Sequence, residues 1–518
     1  MTQPSRPSLP LSRRRLLAAA GASVGGAALT AAVAGALPAL VAAASPNATP
    51  ATPPTPAAPA ATPAPSGPPA DALATFRTRP DVRPPVLTVK ATRAAGRDPV
   101  FLTPRYGGSG EGVMIYDAAG ELIWLRHVPG RSAVGLQPVT YQGEPALWWW
   151  EGVVTNGLGD GEFVIVDDTY REIARIRAVA RPADLHELTF TPDGDALFFA
   201  LDLVTLGGQP IVDYLVQQVD VPTGRLRWQW RASDHIGLDE MVEAKPDQGP
   251  WDFVHLNSID VDPDGDLLIS ARHTDTLYKV SRHTGDILWR LGGPRSDFQL
   301  AKHAVFHRQH FARWQPDGTI SLFDNATSDP KDSTSRPAGM VLRVDEAAGT
   351  ARLVRRLDPP VPVNASSQGD LAIAPDGSAT VGWGSANLFT SYDPDGNVTL
   401  DGAMPRGFSS YRAFRSPWQG RPRDLPILTV AADDRGAPGA WVSWNGATDV
   451  VRWRLLAGTG PDALEPAGET KRAGFETALP LPAGAAAIAV AALDGQGREL
   501  ARSEPVVVAT AMAAPRAG

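Results

Sequence analysis

A chain of 518 residues, 43% hydrophobic and 20% charged, can bury a large core, which excludes a fibre or a solvated tail and favours one large domain or two. Its formal charge of −8 becomes more negative still once the arginine-bearing N-terminus is set aside, so no basic stripe remains to hold a nucleic-acid backbone. The absence of cysteine excludes disulfides, thiolate metal sites, a cysteine nucleophile and a lipoprotein anchor.

Residues 1–45 open the chain with Ser12-Arg13-Arg14-Arg15-Leu16-Leu17, followed by an Ala/Gly/Leu/Val stretch to about Ala44. This resembles a twin-arginine export signal with a small-residue cleavage zone at Ala42-Ala43-Ala44, and it predicts a periplasmic, cell-envelope or extracellular protein served by the twin-arginine export machinery. An uncleaved membrane anchor is the alternative, because the apolar stretch is long enough to span. Residues 46–75 form a spacer whose proline, alanine and threonine content keeps it extended.

From there on, the 50 glycines, 49 prolines and 14 tryptophans, with turn signals at short intervals, predict an all-β protein of many short strands. Six similar punctuations follow one another: Tyr116 to Gly120, Val166 to Tyr170, Val219 to Gly224, Val280 to Gly285, Val344 to Gly349 and Tyr392 to Gly396. Each is an apolar strand, a short turn and another strand, and a period of roughly fifty to sixty residues is that of propeller blades. Between them stand hairpin signals at Pro192-Asp193-Gly194, Pro263-Asp264-Gly265, Pro316-Asp317-Gly318 and Pro375-Asp376-Gly377, with weaker equivalents near Gly96 and Gly143. Pro presets such a turn and Gly takes the positive φ that closes it. Two hairpins per repeat make a four-stranded blade, so residues 76–415 are expected to form a six-bladed β-propeller. Residues 416–426 read as a linker, and 427–510 carry the period-two strands of a small β-sandwich of immunoglobulin or fibronectin type.

The candidate chemistry collects by position. His186 lies seven residues before Asp193, His255 nine before Asp264 and His310 seven before Asp317. These odd offsets place the three side chains on equivalent faces at the end of the strand far from the turn. Arg272, eight residues after Asp264, returns opposite or diagonal to His255, and Asn257 points to the same side. Long insertions at 201–214, 229–254, 291–309 and 324–338 are expected at that rim. Trp251, Phe253 and Phe311 are expected to wall the site against an aromatic ring. His273, His283, His303 and His307 lack this placement.

The runs Ala183-Asp184-Leu185-His186-Glu187, Trp251 to Ser258, Ser270-Ala271-Arg272-His273-Thr274, Leu288 to Gly293, Gln309 to Arg313 and Leu322-Phe323-Asp324-Asn325 resemble those of the arylsulfotransferase family of bacteria and fungi. The resemblance runs from about Phe76 to Ser391. It implies a six-bladed propeller that transfers a sulfuryl group from a phenolic sulfate ester to a phenol without a nucleotide sulfate donor, cofactor or metal. Carried over residue by residue, it implies His310 as the nucleophile that becomes sulfurylated. His255, Arg272 and His186 would bind and activate the sulfuryl group, with Asn257 assisting. The partners would be a small aryl sulfate donor and a phenolic acceptor, and a homodimer is compatible with this reading.

Two other functions remain open on the residues alone. One is a non-enzymatic exported propeller that binds a ligand through its histidine rim. The other is a histidine-ligated metalloenzyme, against which stand the lack of an aligned carboxylate and the presence of Arg272, whose charge would repel a cation.

Overall fold

The computed structural model describes residues 67–107, 109–110, 112–326 and 336–509. The expected export signal at 1–45 and most of the proline-rich spacer lie outside the described residues. The regular structure is nearly all strand, in mainly antiparallel sheets joined by turns, loops and short 3-10 helices.

The predicted punctuation sets the strand ends. Each Pro-Asp-Gly turn closes a hairpin with its glycine at positive φ, 86° at Gly194, 89° at Gly265, 75° at Gly318 and 84° at Gly377, a region that costs other L-residues strain. The second series of turns joins the third and fourth strands of each meander. The meander Leu256–Val261, Leu267–Ala271, Thr276–Val280 and Ile287–Gly292 forms a sheet alone. Those beginning at Ser132–Tyr141 and Ala183–Phe190 join into one sheet where Ala183 pairs with Gly161. The sheet that begins with His310–Trp314 gains Gln299–Leu300 at its outer edge, and the one that begins with Asp370–Ile373 gains Thr88–Ala91.

Chain closure has no signal in the repeat. Strand Phe408–Arg415 pairs with Val100–Tyr106 and completes a sheet whose other strands come from the beginning of the described chain. Two expectations are corrected by this arrangement. The weak turn near Gly96 is not a hairpin, because Thr88–Ala91 and Val100–Tyr106 belong to different sheets. Residues 201–214 are not an irregular insertion. They continue the paired strands Ala196–Leu206 and Gln209–Asp220, whose register is unbroken from Ala196↔Val219 to Leu206↔Gln209.

The cores lie between successive meanders. Leu197, Phe199 and Tyr214 cluster with Ile259, Ile269 and Tyr278, and Leu268, Leu277 and Trp289 cluster with Leu322, Met340 and Leu342. The strands that open neighbouring meanders are also bolted by polar side chains, with Ala312 N–H donating to Ser258 Oγ at 2.9 Å and Trp314 N–H to Asp260 Oδ2 at 2.7 Å. Buried backbone donors are thereby satisfied without continuous pairing across the gap.

Beyond residue 426, the strands Ile427–Ala432, Pro438–Ser443 and Glu476–Leu479 form one sheet, and Arg452–Gly458, Leu464–Lys471, Ala487–Leu493 and Glu499–Arg502 belong to another. Leu428, Val442, Trp453 and Val490 share a core across the two. The Asn445 side-chain amide fixes this region to Leu125: Oδ1 accepts the Leu125 N–H at 3.0 Å and Nδ2 donates to the Leu125 carbonyl at 2.9 Å. The segment at 76–78 packs here too: Phe76 lies 4.6 Å from Phe475, and Thr78 donates to Glu476 through both its N–H and its Oγ.

Candidate active site

Four strand ends bring His186, His255, Arg272 and His310 to the wall of one cavity of about 310 Å³. His186 comes from Ala183–Phe190, His255 from the residue before Leu256–Val261, Arg272 from the 3-10 turn after Leu267–Ala271, and His310 from the first residue of its strand. The His186 and His255 rings meet edge to face at 4.7 Å, and the Arg272 N–H donates to the His255 carbonyl at 3.0 Å.

The physical reason differs from a regular strand count. Each histidine-bearing strand slips register near its histidine: five steps face two between Ala183 and Leu188, two face one between Leu256 and Ser258, and three face two between His310 and Arg313. Every slip inserts an odd number of residues, so the parity shared by the three histidines survives. Backbone strain accompanies the slips. His255 (φ 48°), Gln368 (φ 65°) and Asn156 (φ 51°) line the cavity in the left-handed region, and Arg308 (φ 53°) and Phe311 (φ 55°) flank His310 there. Such conformations cost on the order of 1–3 kcal/mol each and persist where surrounding contacts enforce them.

His310 is buried, at 1% exposure. Its Nδ1 lies 3.0 Å from the Arg308 carbonyl and 2.6 Å from Asn325 Oδ1. The Asn325 amide is oriented by Nδ2, which donates to the carbonyls of Ala365 and Gln368 at 2.6 and 2.9 Å. Both neighbours of Nδ1 are therefore acceptors, so Nδ1 carries the proton and Nε2 carries the lone pair. Nε2 accepts the Gln368 N–H at 3.2 Å. Burial, with the Arg272 charge and the His255 and His186 rings adding to it, holds the His310 pKa well below the usual histidine range.

Carboxylates back the other two imidazoles. His186 Nδ1 is hydrogen-bonded to Asp184 Oδ2, and this fully buried carboxylate also accepts the N–H groups of Gly159 and His186. His255 Nδ1–H donates to Asp252 Oδ2 at 2.6 Å, and Tyr214 Oη donates to the same carboxylate at 3.3 Å. Burial pushes the His255 pKa down to about 4 against the pull of Asp252. Burial pushes Asp252 up, but His255, His273 and His186 together outweigh it and hold the carboxyl at about 2. Arg272 is largely desolvated. Its Nη2 donates to the Ser366 carbonyl at 3.4 Å, its Nη1 is 3.8 Å from Glu243, and its Nε has no partner.

The remaining expected site residues fall elsewhere. Asn257 is fully buried, donates to the Gln309 carbonyl at 2.7 Å and acts behind the cavity. Phe253 is in the core between meanders, with Trp251 packed against it. Phe311 turns into another core, and its ring is covered by the Arg313 and Arg412 guanidinium groups at 3.8 and 4.4 Å. Phe311 also borders a larger cavity of about 680 Å³ beside the Pro316 and Pro375 turns, which contains none of the four residues above. None of these three aromatics lines the histidine cavity. Its apolar surface comes instead from Val154, Leu185 and Tyr411.

Two further expectations are corrected. His273, thought misplaced, lines the cavity with its ring 4.7 Å from His255, and its Nδ1–H donates to the Asp252 carbonyl at 2.9 Å. An aligned carboxylate does exist, since Asp252, His255 and His273 bring ligand-type atoms within 4.8 Å of one another. The Nδ1 atoms of both rings are committed to Asp252, and burial, helped by the Arg272 charge and opposed by Asp252, lowers the His273 pKa; the same Arg272 charge disfavours a cation here. Asp184, Asp252 and Asn325 were legible only as members of the family-like runs, although Asp two or three residues before His is a usable signal. Gln368 and Arg105, which also line the cavity, had no motif around them.

The described strands thus gather imidazoles, an arginine and their orienting carboxylates around one cavity. Residues 137–404, just over half of the chain, match the Arylsulfotransferase (ASST) family. The chain belongs to this family, whose sulfotransferase activity acts on small aryl substrates. No curated protein matches it significantly. Among solved structures it is similar to a protein of unknown function from Bacteroides caccae, 13% identical over 62% of this chain and 99% of that one, with a TM-score of 0.38. It is also similar to a catalytically inactive virginiamycin B lyase from Staphylococcus aureus with quinupristin (11% identical, 69% and 96% covered, TM-score 0.33) and to the hydrazine synthase of Kuenenia stuttgartiensis (14%, 56% and 72%, 0.33). At such scores these structures carry no inference about the chemistry of this chain.

Proposed function

We propose that the protein is an exported, nucleotide-independent aryl sulfotransferase that moves a sulfuryl group from a phenolic sulfate ester to a phenol through a sulfohistidine at His310. The observation that carries this reading is the tautomer of His310. Its proton sits between two neutral acceptors, and its depressed pKa keeps Nε2 a free base near neutral pH.

In the first step Nε2 attacks sulfur, an N–S bond forms, and the ester O–S bond breaks with its electron pair leaving on the phenolic oxygen. A proton reaches that oxygen from His186 in its imidazolium form, since His255, held neutral with its proton on Nδ1 facing Asp252, carries only a lone pair on Nε2. Arg272 stabilises the charge on the non-bridging oxygens. In the second step the acceptor phenol gives its proton to the same imidazole and attacks sulfur, and the N–S bond breaks to restore neutral His310. Because the Nδ1 partners of His310 are uncharged, the sulfurylated ring stays a good leaving group. The backing carboxylates fix one tautomer of each ring, which aims Nε2 of His186 and of His255 at the substrate.

In the same reading the six four-stranded meanders are the blades of a six-bladed propeller over residues 76–415. Residues 427–510 are a β-sandwich, 46–75 a spacer and 1–45 a twin-arginine signal. The decisive experiment uses purified protein lacking residues 1–45, a chromogenic aryl sulfate and phenol. Donor alone should give one burst of phenol and a sulfuryl label on His310 in rapidly quenched protein, and steady-state kinetics should be ping-pong. A label on another residue, or sequential kinetics without label, would overturn the mechanism.

A further inference from the structure

Three cavity-lining residues hold polar side-chain atoms without a partner: Arg272 at Nε, Arg105 at Nε and Tyr411 at Oη. Arg272 belongs to the set described above. Arg105 does not, and it enters from strand Val100–Tyr106 on the sheet that closes the chain, far from every motif. It is buried, at 8% exposure. Among the described residues its side chain makes one hydrogen bond, from Nη2 to Gln368 Oε1 at 2.7 Å. Among the described residues no carboxylate pairs with it, and burial lowers its pKa with only Tyr411 opposing.

An arginine held out of water without a counter-charge is costly, and this one is tied to the nucleophile. Gln368 holds Arg105 through its side chain and His310 Nε2 through its backbone N–H, while Ser366, two residues earlier, holds Arg272 through its carbonyl. A single short segment therefore places the two guanidinium groups around the nitrogen that receives the sulfuryl group. Tyr411 comes from closing strand Phe408–Arg415, and its ring lies 5.8 Å from His186.

We infer that Arg105 and Tyr411 form the second half of an anion clamp that holds the oxygens of a sulfuryl or sulfonate group opposite Arg272. This rests on the sulfotransferase reading for the identity of the anion, but not for the existence of the clamp. Arg272 offers one planar fork and Arg105 another, and three non-bridging oxygens can use both. Tyr411 Oη supplies a neutral donor on the His186 side.

The test uses 4-nitrobenzenesulfonate, which carries the same anionic group but no ester oxygen to expel, and reads its Kd by calorimetry beside the burst with an aryl sulfate. Arg105→Gln should weaken sulfonate binding by roughly tenfold or more, with Arg105→Lys less severe and Tyr411→Phe weakened by about two- to fivefold. Because the wild-type charge has no carboxylate partner, Arg105→Gln should also keep or raise the Tm of the free protein while it abolishes the Tm gain on adding sulfonate. A merely structural arginine would do the reverse. Sulfonate affinity and burst at wild-type levels in Arg105→Gln and Tyr411→Phe would overturn the clamp and leave the sulfotransferase reading standing. Sulfonate binding that depends on Arg105, in a protein that transfers nothing, would keep the clamp and remove that reading. If Arg105→Gln does not fold, Arg105→Lys and Tyr411→Phe decide by the same two measurements.

Discussion

A histidine whose Nδ1 faces a backbone carbonyl and an amide oxygen can hold its proton in one place, and that is how Asn325 and Arg308 treat His310. The uncharged partner matters as much as the geometry. In Asn325→Asp a carboxylate would face Nδ1 and favour the imidazolium, against burial, the charge of Arg272 and the rings of His255 and His186, which all favour the neutral form. The folded pKa of His310 should rise, so the acid limb of the burst rate should move up in pH. At pH 6 the variant should lose roughly tenfold in burst rate and recover towards pH 8. An acid limb identical to wild type would show that Asn325 does not control this proton. His310→Ala should abolish burst and label alike, whereas His186→Ala should slow the burst and leave the label position unchanged. Arg272→Lys should lose about a hundredfold in kcat with the fold intact, since lysine keeps the charge but not the fork. Turnover near wild type would make Arg272 structural. Direct titration by NMR should find the His255 ring neutral at pH 6 and protonating only near its depressed pKa of about 4.

At the scale of the element, one turn shows how a departure from the repeat is compensated. Five of the six outer turns end on glycine, and the sixth puts Tyr170 at φ 62°. The strain is offset because the Tyr170 ring stacks on Trp124 at 4.6 Å and its Oη donates to the Gly446 carbonyl at 2.9 Å, which joins the turn to the C-terminal sheets. Tyr170→Gly would relieve about 1 kcal/mol of backbone strain but lose a partly buried, stacked ring and a hydrogen bond worth more together. A net loss of about 2 kcal/mol is expected by denaturant unfolding, and a stabilised variant would show that the turn conformation dominates. This turn also marks what the sequence could reveal. Hairpins were legible because Pro-Asp-Gly and Asp-to-Gly spacings are local chemistry, and the His186, His255 and His310 group was legible because three slips, each odd, preserved equal parity. Trp251, Phe253 and Phe311 misled because an aromatic near a site in sequence is drawn to the nearest core, and the left-handed backbone at Phe311 turns its ring into one. Arg105 and Tyr411 were illegible because only closure of the first sheet by Phe408–Arg415 brings them beside His310.

The whole molecule depends on that closure, and on export if residues 1–45 act as proposed. Arg13→Lys combined with Arg14→Lys should leave the folded protein in the cytoplasm, as cell fractionation would show, and normal export would defeat the twin-arginine reading. Closure itself converges on Arg412, which is 2% exposed and lies on the closing strand. Its Nη2 donates to the carbonyls of His186 and Asn257 at 3.0 and 3.1 Å and to Glu187 at 3.1 Å, while Nη1 reaches the same carboxylate at 3.2 Å. One guanidinium thus joins the last strand to the strands that carry His186 and follow His255. Glu187 is fully buried and also takes Arg313 at 2.5 Å. Arg412→Met conserves length and apolar stem but leaves Glu187 with Arg313 as its one charged partner beside the Leu188 N–H, and takes a donor from two carbonyls. A loss of about 3–5 kcal/mol is expected, as when a buried ion pair loses one member. Adding Glu187→Gln to it removes the stranded charge, so the double variant should be less destabilised than the sum of the two single ones by at least about 1 kcal/mol. Additive unfolding free energies across that cycle would show that the two residues act separately, and that closure is held by strand pairing alone.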